Sequence, residues 1–172
     1  MPDTQPPATS HPSPDYPTHR PNVGVVLFNA AGQVWYGHRV GQLLGHAWQF
    51  PQGGVDKGED LEAAARRELE EETGVTSVEV LGRTEGWIVY DFPAALKLSH
   101  KLKGRKPWDG QKQVWFAFRF TGDEAEIDLN RHGDIEFDGW RWGDLSEACD
   151  LIVPFKRAAY EQVVAAFSKF AG

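Results

Sequence analysis

The stretch from residue 60 to 74 constrains the fold most, because it places three carboxylates where a helix needs apolar side chains. Gly58-Glu59-Asp60 opens a helix and Gly74 stops it. At about 100° per residue, Leu61, Ala64, Ala65, Glu68, Leu69, Glu71 and Glu72 share one side; Glu62, Ala63, Arg66, Glu70 and Thr73 share the other. Glu68, Glu71 and Glu72 stand at i, i+3 and i+4, where like charges repel by about 0.2–0.5 kcal/mol per pair. Beside a core the cost grows, and buried charges are paired or bind metal. A solvated acidic face accounts for Glu62 and Glu70 but not for these three. Arg67, four residues before Glu71, brings one guanidinium to three carboxylates. Hard oxygen ligands suit Mg²⁺ or Mn²⁺ better than zinc, and such ions bridge to substrate phosphates.

The rest of the chain leaves room for one domain around that helix. It has 172 residues, 41% hydrophobic and 12% aromatic with seven Trp, enough for a packed core and unlike a disordered or collagen-like chain. A single cysteine, Cys149, excludes an internal disulfide and a Cys-based zinc cluster. No apolar run approaches the ~20 residues of a bilayer span, and no signal peptide opens the chain. These features predict a cytoplasmic protein with no membrane partner.

The net charge of −7 argues against broad nucleic-acid binding and against DNA as a partner. It is unevenly spread. Residues 54–79 hold nine acids against Lys57, Arg66 and Arg67, whereas residues 92–108 hold Lys97, Lys101, Lys103, Arg105 and Lys106 and no acid. A concentrated anionic site beside a basic segment is the pattern to explain.

Residues 1–20 contain six of the eleven prolines, so 1–19 is expected to be a disordered tail and 20–172 the domain. Strands are expected at 23–28, 33–38, 76–83, 86–91, 113–121 and 137–142, with a short extended piece at 48–50. Residues 92–110, with Pro93 and Pro107, read as an irregular excursion. Residues 154–170 read as an amphipathic helix with Pro154 in its first turn. Strands mixed with two helices predict an α+β domain, an α/β/α sandwich.

The spacing Gly53-x5-Glu59-x7-Arg67-Glu68-Leu69-x-Glu71-Glu72-x-Gly74-Val75 resembles a complete Nudix box over 23 residues. Further stretches, Arg20-Pro-Asn-Val-Gly24, Trp48-Gln-Phe-Pro-Gln-Gly-Gly54, Gly110-Gln-Lys-Gln-Val-Trp-Phe116, Glu136-Phe-Asp-Gly-Trp-Arg-Trp142 and Val153-Pro-Phe-Lys-Arg157, resemble the bacterial RNA 5′-pyrophosphohydrolase and dinucleoside polyphosphate hydrolase branch of that family. The resemblance implies a mixed sheet between helices, with the box as a loop–helix–loop. It implies metal-dependent hydrolysis of a diphosphate bond, with Mg²⁺ (or Mn²⁺) on Glu68, Glu71 and Glu72 and on the backbone of Gly53. Arg67 and Glu59 would orient the site, and Glu136 would be a further ligand or the general base, in competition with Glu68.

The same resemblance implies that Phe155 stacks on a base, with Lys156 alongside, Val153 lining the pocket and Arg20 at the 5′ end. Arg39 and the basic run 97–106 are candidates for gripping phosphates. Trp48 and Phe50 are expected to pack beneath the box, and His38, His46, His100 and His132 to be ordinary surface residues. The implied substrate is a 5′-triphosphate or diphosphate RNA end, trimmed to a monophosphate. The alternatives are diadenosine tetraphosphate and, in a different class, an inactive nucleotide-binding module, although no box carboxylate is missing. A monomer or weak oligomer is expected.

Overall fold

The centre of the molecule is a parallel pair. The structure, a computed structural model, describes Pro12, residues 14–41 and residues 46–172. Strands β1 (His19–Phe28) and β7 (Gly110–Phe120) run side by side from His19 opposite Gly110 to Phe28 opposite Arg119. Successive side chains of a strand face opposite sides, and here both sides are apolar. Val23, Val25 and Leu27 join Val114, Phe116 and Phe118 on one face; Val26 and Phe28 join Trp115 and Ala117 on the other. Such a pair needs cover on both sides.

The remaining strands are β2 (Val34–Arg39), β3 (Trp48–Gln49), β4 (Gln52–Gly54), β5 (Val78–Arg83), β6 (Ile88–Asp91) and β8 (Phe137–Gly143). The order across the mixed sheet is β3-β2-β1-β7-β5, with β4 on β1, β6 on β7 and β8 on β2, every pair except β1–β7 being antiparallel. Helix α1 (Leu61–Thr73) covers the first face through Leu61, Ala64, Ala65 and Leu69. Helices α3 (Ala148–Leu151) and α4 (Arg157–Phe167) cover the second through Ala148, Ala159, Tyr160, Val163 and Phe167. The architecture is the expected α/β/α layering.

Four details differ from the expectations. Residues 94–102 form a helix, α2 (Ala94–Leu102), inside the segment expected to be irregular. Pro93 stands at its N-cap, where the missing N–H costs nothing, so the proline that read as a breaker instead opens the helix. The closing helix is divided into single 3₁₀ turns at Pro154–Lys156 and Ser168–Phe170 around α4. Thr73, assigned to the polar side of α1, is fully buried and donates its hydroxyl to the Leu69 carbonyl at 2.6 Å. Trp48 and Phe50 pack not beneath the box but against the cluster on the far face, Phe50 stacked between Tyr36 and Tyr160 at 5.1 and 5.2 Å.

Strand β1 starts at His19. Of the expected tail, residues 1–11 and 13 lie outside the described residues; the Pro12 carbonyl accepts from Trp87 Nε1 at 2.9 Å, and Asp15 pairs with the buried Lys112.

Candidate active site

Helix α1 is fixed at both ends. The Asp60 carboxylate accepts from the Ala63 N–H at 2.8 Å, and Gly74 closes the helix at φ +79°, a conformation that disfavours a side chain. The loop before it is held by Arg67. This guanidinium donates to both Glu59 oxygens at 2.8 Å, to the Gly54 carbonyl at 2.9 Å, to Glu68 at 2.8 Å and to Glu71 at 3.2 Å. Glu59 also accepts from the Asp56 N–H at 3.0 Å. The Arg67 hydrogen bonds hold the Glu59 carboxyl below its ordinary range. Arg67 thus ties residues 54–59 to one face of the helix.

The carboxylates behind it differ in burial. Glu71 is 43% exposed, whereas Glu68 is 13% exposed. Burial pushes Glu68 up against the opposing pull of Arg67. Glu72 is raised well above the carboxylate range, chiefly by burial and then by the charges of Glu68 and Glu136. It accepts from the Gln52 N–H at 3.2 Å. Gly53, next along β4, presses on Glu68: a Cβ there would lie 2.0 Å from the Glu68 carboxyl. Only glycine lets the strand backbone approach the carboxylate so closely.

This donor set fits a divalent cation in chemistry. All its atoms are hard oxygens, and a cation would relieve the repulsion around Glu72. It is not assembled as a cage: among the described residues no three His, Cys, Asp or Glu side chains are grouped for a metal. Mutual repulsion and Arg67 account for that, since Glu68 and Glu71 turn to the guanidinium and Glu72 to the Gln52 amide.

A cavity of about 700 Å³ opens beside this end of the sheet. Arg20, Arg39, Val153, Phe155 and Lys156, all singled out from sequence, line it together with Glu136. Glu136 lies 3.8 Å from Arg39 and is 43% exposed. Arg67, Glu68, Glu71 and Glu72 do not form its wall. Lys156 is buried, with Nζ 5.8 Å from the Tyr90 ring and 5.9 Å from that of Phe155. Burial and the Arg39 charge lower it to about 8, with Glu136 pulling the other way.

The basic run separates. Lys97 pairs with Asp109 at 3.1 Å, Lys101 and Lys103 stay outside the cavity, and Arg105 and Lys106 line it. His100 also lines the wall instead of lying on free surface, its ring 5.2 Å from Phe92. His38 pairs with Asp138 at 2.6 Å, and His132 lies 3.8 Å from Glu70.

Tyr90, Gln111 and Gln52 are wall residues that the sequence alone did not single out. The Tyr90 hydroxyl bonds Gln111 at 2.6 Å, and Gln113 Nε2 reaches Asn22, Gln111 and Gln52 at 3.1, 3.1 and 3.4 Å. Polar residues just before the apolar middle of two strands were the signal available: Gln111 and Gln113 precede Val114–Phe118 in β7, and Asn22 precedes Val23–Phe28 in β1.

A family model described as the NUDIX domain matches residues 18–163. The RNA pyrophosphohydrolase of Caulobacter vibrioides is 66% identical over 157 residues, covering 91% of this chain and 90% of the relative. That of Rhodospirillum rubrum is 50% identical over 153 residues, covering 89% of each. Among solved structures, the E. coli dihydroneopterin triphosphate pyrophosphohydrolase aligns with a TM-score of 0.61 at 19% identity, covering 86% of this chain and 98% of that one. A C. elegans Ap4A hydrolase complex aligns at 0.56 with the same identity and coverage. At that identity the structures speak for the fold alone. The box, the sheet and the cavity all fall within the matched span, and the chain belongs to the Nudix family.

Proposed function

We propose that this protein is a metal-dependent pyrophosphohydrolase that trims the 5′-triphosphate or diphosphate end of RNA to a monophosphate. One observation carries the reading: a single cavity joins Glu136, beside the carboxylate helix, to Arg20, Arg39, Lys156 and the Phe155 ring. An RNA 5′ end presents the matching sequence of polyphosphate, then base. The relatives named RNA pyrophosphohydrolase support the substrate class.

Glu68, Glu71, Glu72 and Glu136, with the Gly53 backbone oxygen, are the assigned ligands for Mg²⁺, and Mn²⁺ meets the same oxygen chemistry. When bound, the ion neutralises polyphosphate charge and acidifies water. Phosphoryl transfer leaves the chain positioning and charge to supply. Arg67 holds the loop and helix in register. Arg20, Arg39 and Lys156 grip phosphate oxygens, Phe155 stacks on a base against Val153, and Tyr90 with Gln111 fixes the wall between them. Glu136 is favoured over Glu68 as the group that takes the proton of the attacking water. It faces the cavity, while Glu68 is held by Arg67. The domain is assigned to residues 20–172, with 1–19 as its tail.

The test is a product assay with Mg²⁺ on 5′-triphosphorylated RNA and diadenosine tetraphosphate in parallel, with Glu72→Gln as the blank. Faster conversion of RNA to a monophosphate end supports the reading. Faster cleavage of the dinucleotide replaces it with a dinucleoside polyphosphate hydrolase, and silence on both leaves a binding module.

A further inference from the structure

The carboxylate helix and the cavity wall meet at one residue. Gln52 donates its N–H to Glu72 at 3.2 Å, and its side chain lines the cavity. The other two residues of β4 are Gly53 and Gly54, so Gln52 carries the strand's only side chain beyond hydrogen. Backbone pairing sets β4 on β1, with Gln52 opposite Gly24. The tie from β4 to β7 runs through the Gln52 side chain, whose oxygen accepts from Gln113 Nε2 at 3.4 Å.

Gln113 is placed to hold that tie. It is 1% exposed, does not form the cavity wall, and stands opposite Asn22 in the parallel pair. Its amide has one workable orientation. The Trp115 indole N–H donates and cannot accept, and it lies 2.9 Å from Gln113 Oε1. The amide nitrogen therefore faces the other way, towards the side-chain oxygens of Asn22, Gln111 and Gln52. Trp115 is itself fixed in the core. Its ring lies over β1 at Gly24, where a Cβ would collide with it, and meets Phe50 and Tyr160 edge-on at 5.9 and 5.5 Å. Gln111 also accepts from the Tyr90 hydroxyl at 2.6 Å. Burial pushes that hydroxyl up, and a hydrogen bond with the Gln52 side chain pulls it the other way. Gln113, Gln52, Tyr90 and Gln111 thus form one connected set, and loss of the Gln113 amide would strand buried partners on both of its sides.

We propose that Gln113 is a positioning residue for the metal site: by gripping the Gln52 side chain it fixes the Gln52 N–H, and with it the Glu72 carboxylate, where a divalent cation is taken up. Gln113 touches neither cation nor substrate and acts through Gln52. Partners of this kind, one step behind the ligands, change metal affinity when removed because they set ligand orientation. The inference rests on Glu72 as a metal ligand, and it does not depend on which polyphosphate is the substrate.

The experiment is Mn²⁺ binding to the full chain without substrate, read from the electron paramagnetic resonance of the free ion, with a urea titration of every variant. Gln113→Met is expected to weaken Mn²⁺ roughly ten-fold, and Gln52→Ala by a similar factor. The double variant should lose no more than either single one, because both changes cut the same link. Phe167→Leu, a core change beside Phe170 at the Phe28 end of β1, measures what lost packing does by itself. It should lower stability and leave Mn²⁺ affinity unchanged. Unchanged affinity in Gln113→Met, losses that multiply in the double variant, or an equal loss in Phe167→Leu would each overturn the proposal. If Gln113→Met does not fold, Gln52→Ala decides, with a ten-fold loss supporting the link and no loss overturning it. Failure of the metal-ligand reading shows separately, as a Glu72→Gln chain that binds Mn²⁺ as the parent does.

Discussion

Helix α1 and the cavity wall hold their charges in opposite ways. On the helix, one guanidinium answers Glu59, Glu68, Glu71 and the Gly54 carbonyl, and the carboxyl left without a cation among the described residues is the buried Glu72. Along the wall the unanswered charges are positive, at Arg20, Lys156, Arg105 and Lys106, set among Tyr90, Phe155 and Trp108. A site that must take both a cation and a polyphosphate needs this division, because each half is incomplete without its ligand. Variants that neutralise one half should therefore leave the other half's signature intact.

The largest effect is expected at Glu72. Glu72→Gln should lower kcat about 10³-fold, the several kcal/mol that a metal supplies at about 1.36 kcal/mol per decade. It should also raise the melting temperature of the metal-free protein at neutral pH. The native environment raises the carboxyl's pKa, so its ionised form opposes folding as pH rises, and the amide removes that charge. Glu70→Gln, on the same helix but half-exposed near Arg131 and His132, should leave turnover unchanged. Equal losses in the two variants would break the distinction between the faces of α1.

Arg67→Ala comes next, at about 3 kcal/mol of stability in urea titration, because it strands Glu59 and Glu68 with little solvent around them. Arg66, one residue earlier, makes an exposed i,i+4 pair with Glu62 and lies over the Phe118 ring. Its loss should cost no more than about 1 kcal/mol. A similar cost for both would mean that Arg67 contributes only as a surface charge.

The contrast between the two regions also decides what the sequence could reveal. The box is one continuous stretch whose spacing is set by a single helix and its loop. The three glutamates could therefore be placed by counting, and Glu59 and Arg67 by the resemblance that the same spacing carries. The wall draws on β1, β2, β6, β7, the loop after α2 and the turn before α4. Arg20, Val153, Phe155 and Lys156 were found by resemblance and Arg39 by its charge, but Tyr90, Gln111 and Trp108 come together only once β6 and β7 pair. Residues 92–110 hid a helix because Pro93 and Pro107 read as breakers, whereas Pro93 is the N-cap of α2 and Pro107 lies beyond its end. Thr73 was misplaced because its hydroxyl bonds back to the helix, so a polar residue could enter the core.

Lys156 gives a pH signature to the wall alone. Its native pKa of about 8 lies below the ordinary ~10.4 of lysine. Between those values the unfolded chain binds the extra proton, so stability should rise with pH across about 8 to 10.4. The cost of burying the charge is fully present below pH 8. Lys156→Met should flatten that rise, which corresponds to roughly 3 kcal/mol at 1.36 kcal/mol per unit. Urea titrations of both proteins at pH 7 and 10 would show it, and an unaltered rise in the variant would place the titration elsewhere.

The smallest effect expected separates binding a base from holding a phosphate. Phe155→Ala removes the ring beside Tyr90, and base stacking is worth about 1–3 kcal/mol. It should lower kcat/KM on triphosphorylated RNA by roughly ten-fold or more. Inorganic tripolyphosphate, which has no base, should bind the variant as it binds the parent chain, since Arg20, Arg39 and Lys156 remain. If tripolyphosphate binding falls in step with RNA turnover, the ring supports the burial of Lys156 and does not contact a base. The aromatic and cationic parts of the wall would then be one structural unit, and the contrast with α1 would reduce to the sign of the charge. Unchanged tripolyphosphate binding with weakened RNA turnover would instead show that base and phosphate are read by separate residues within one cavity.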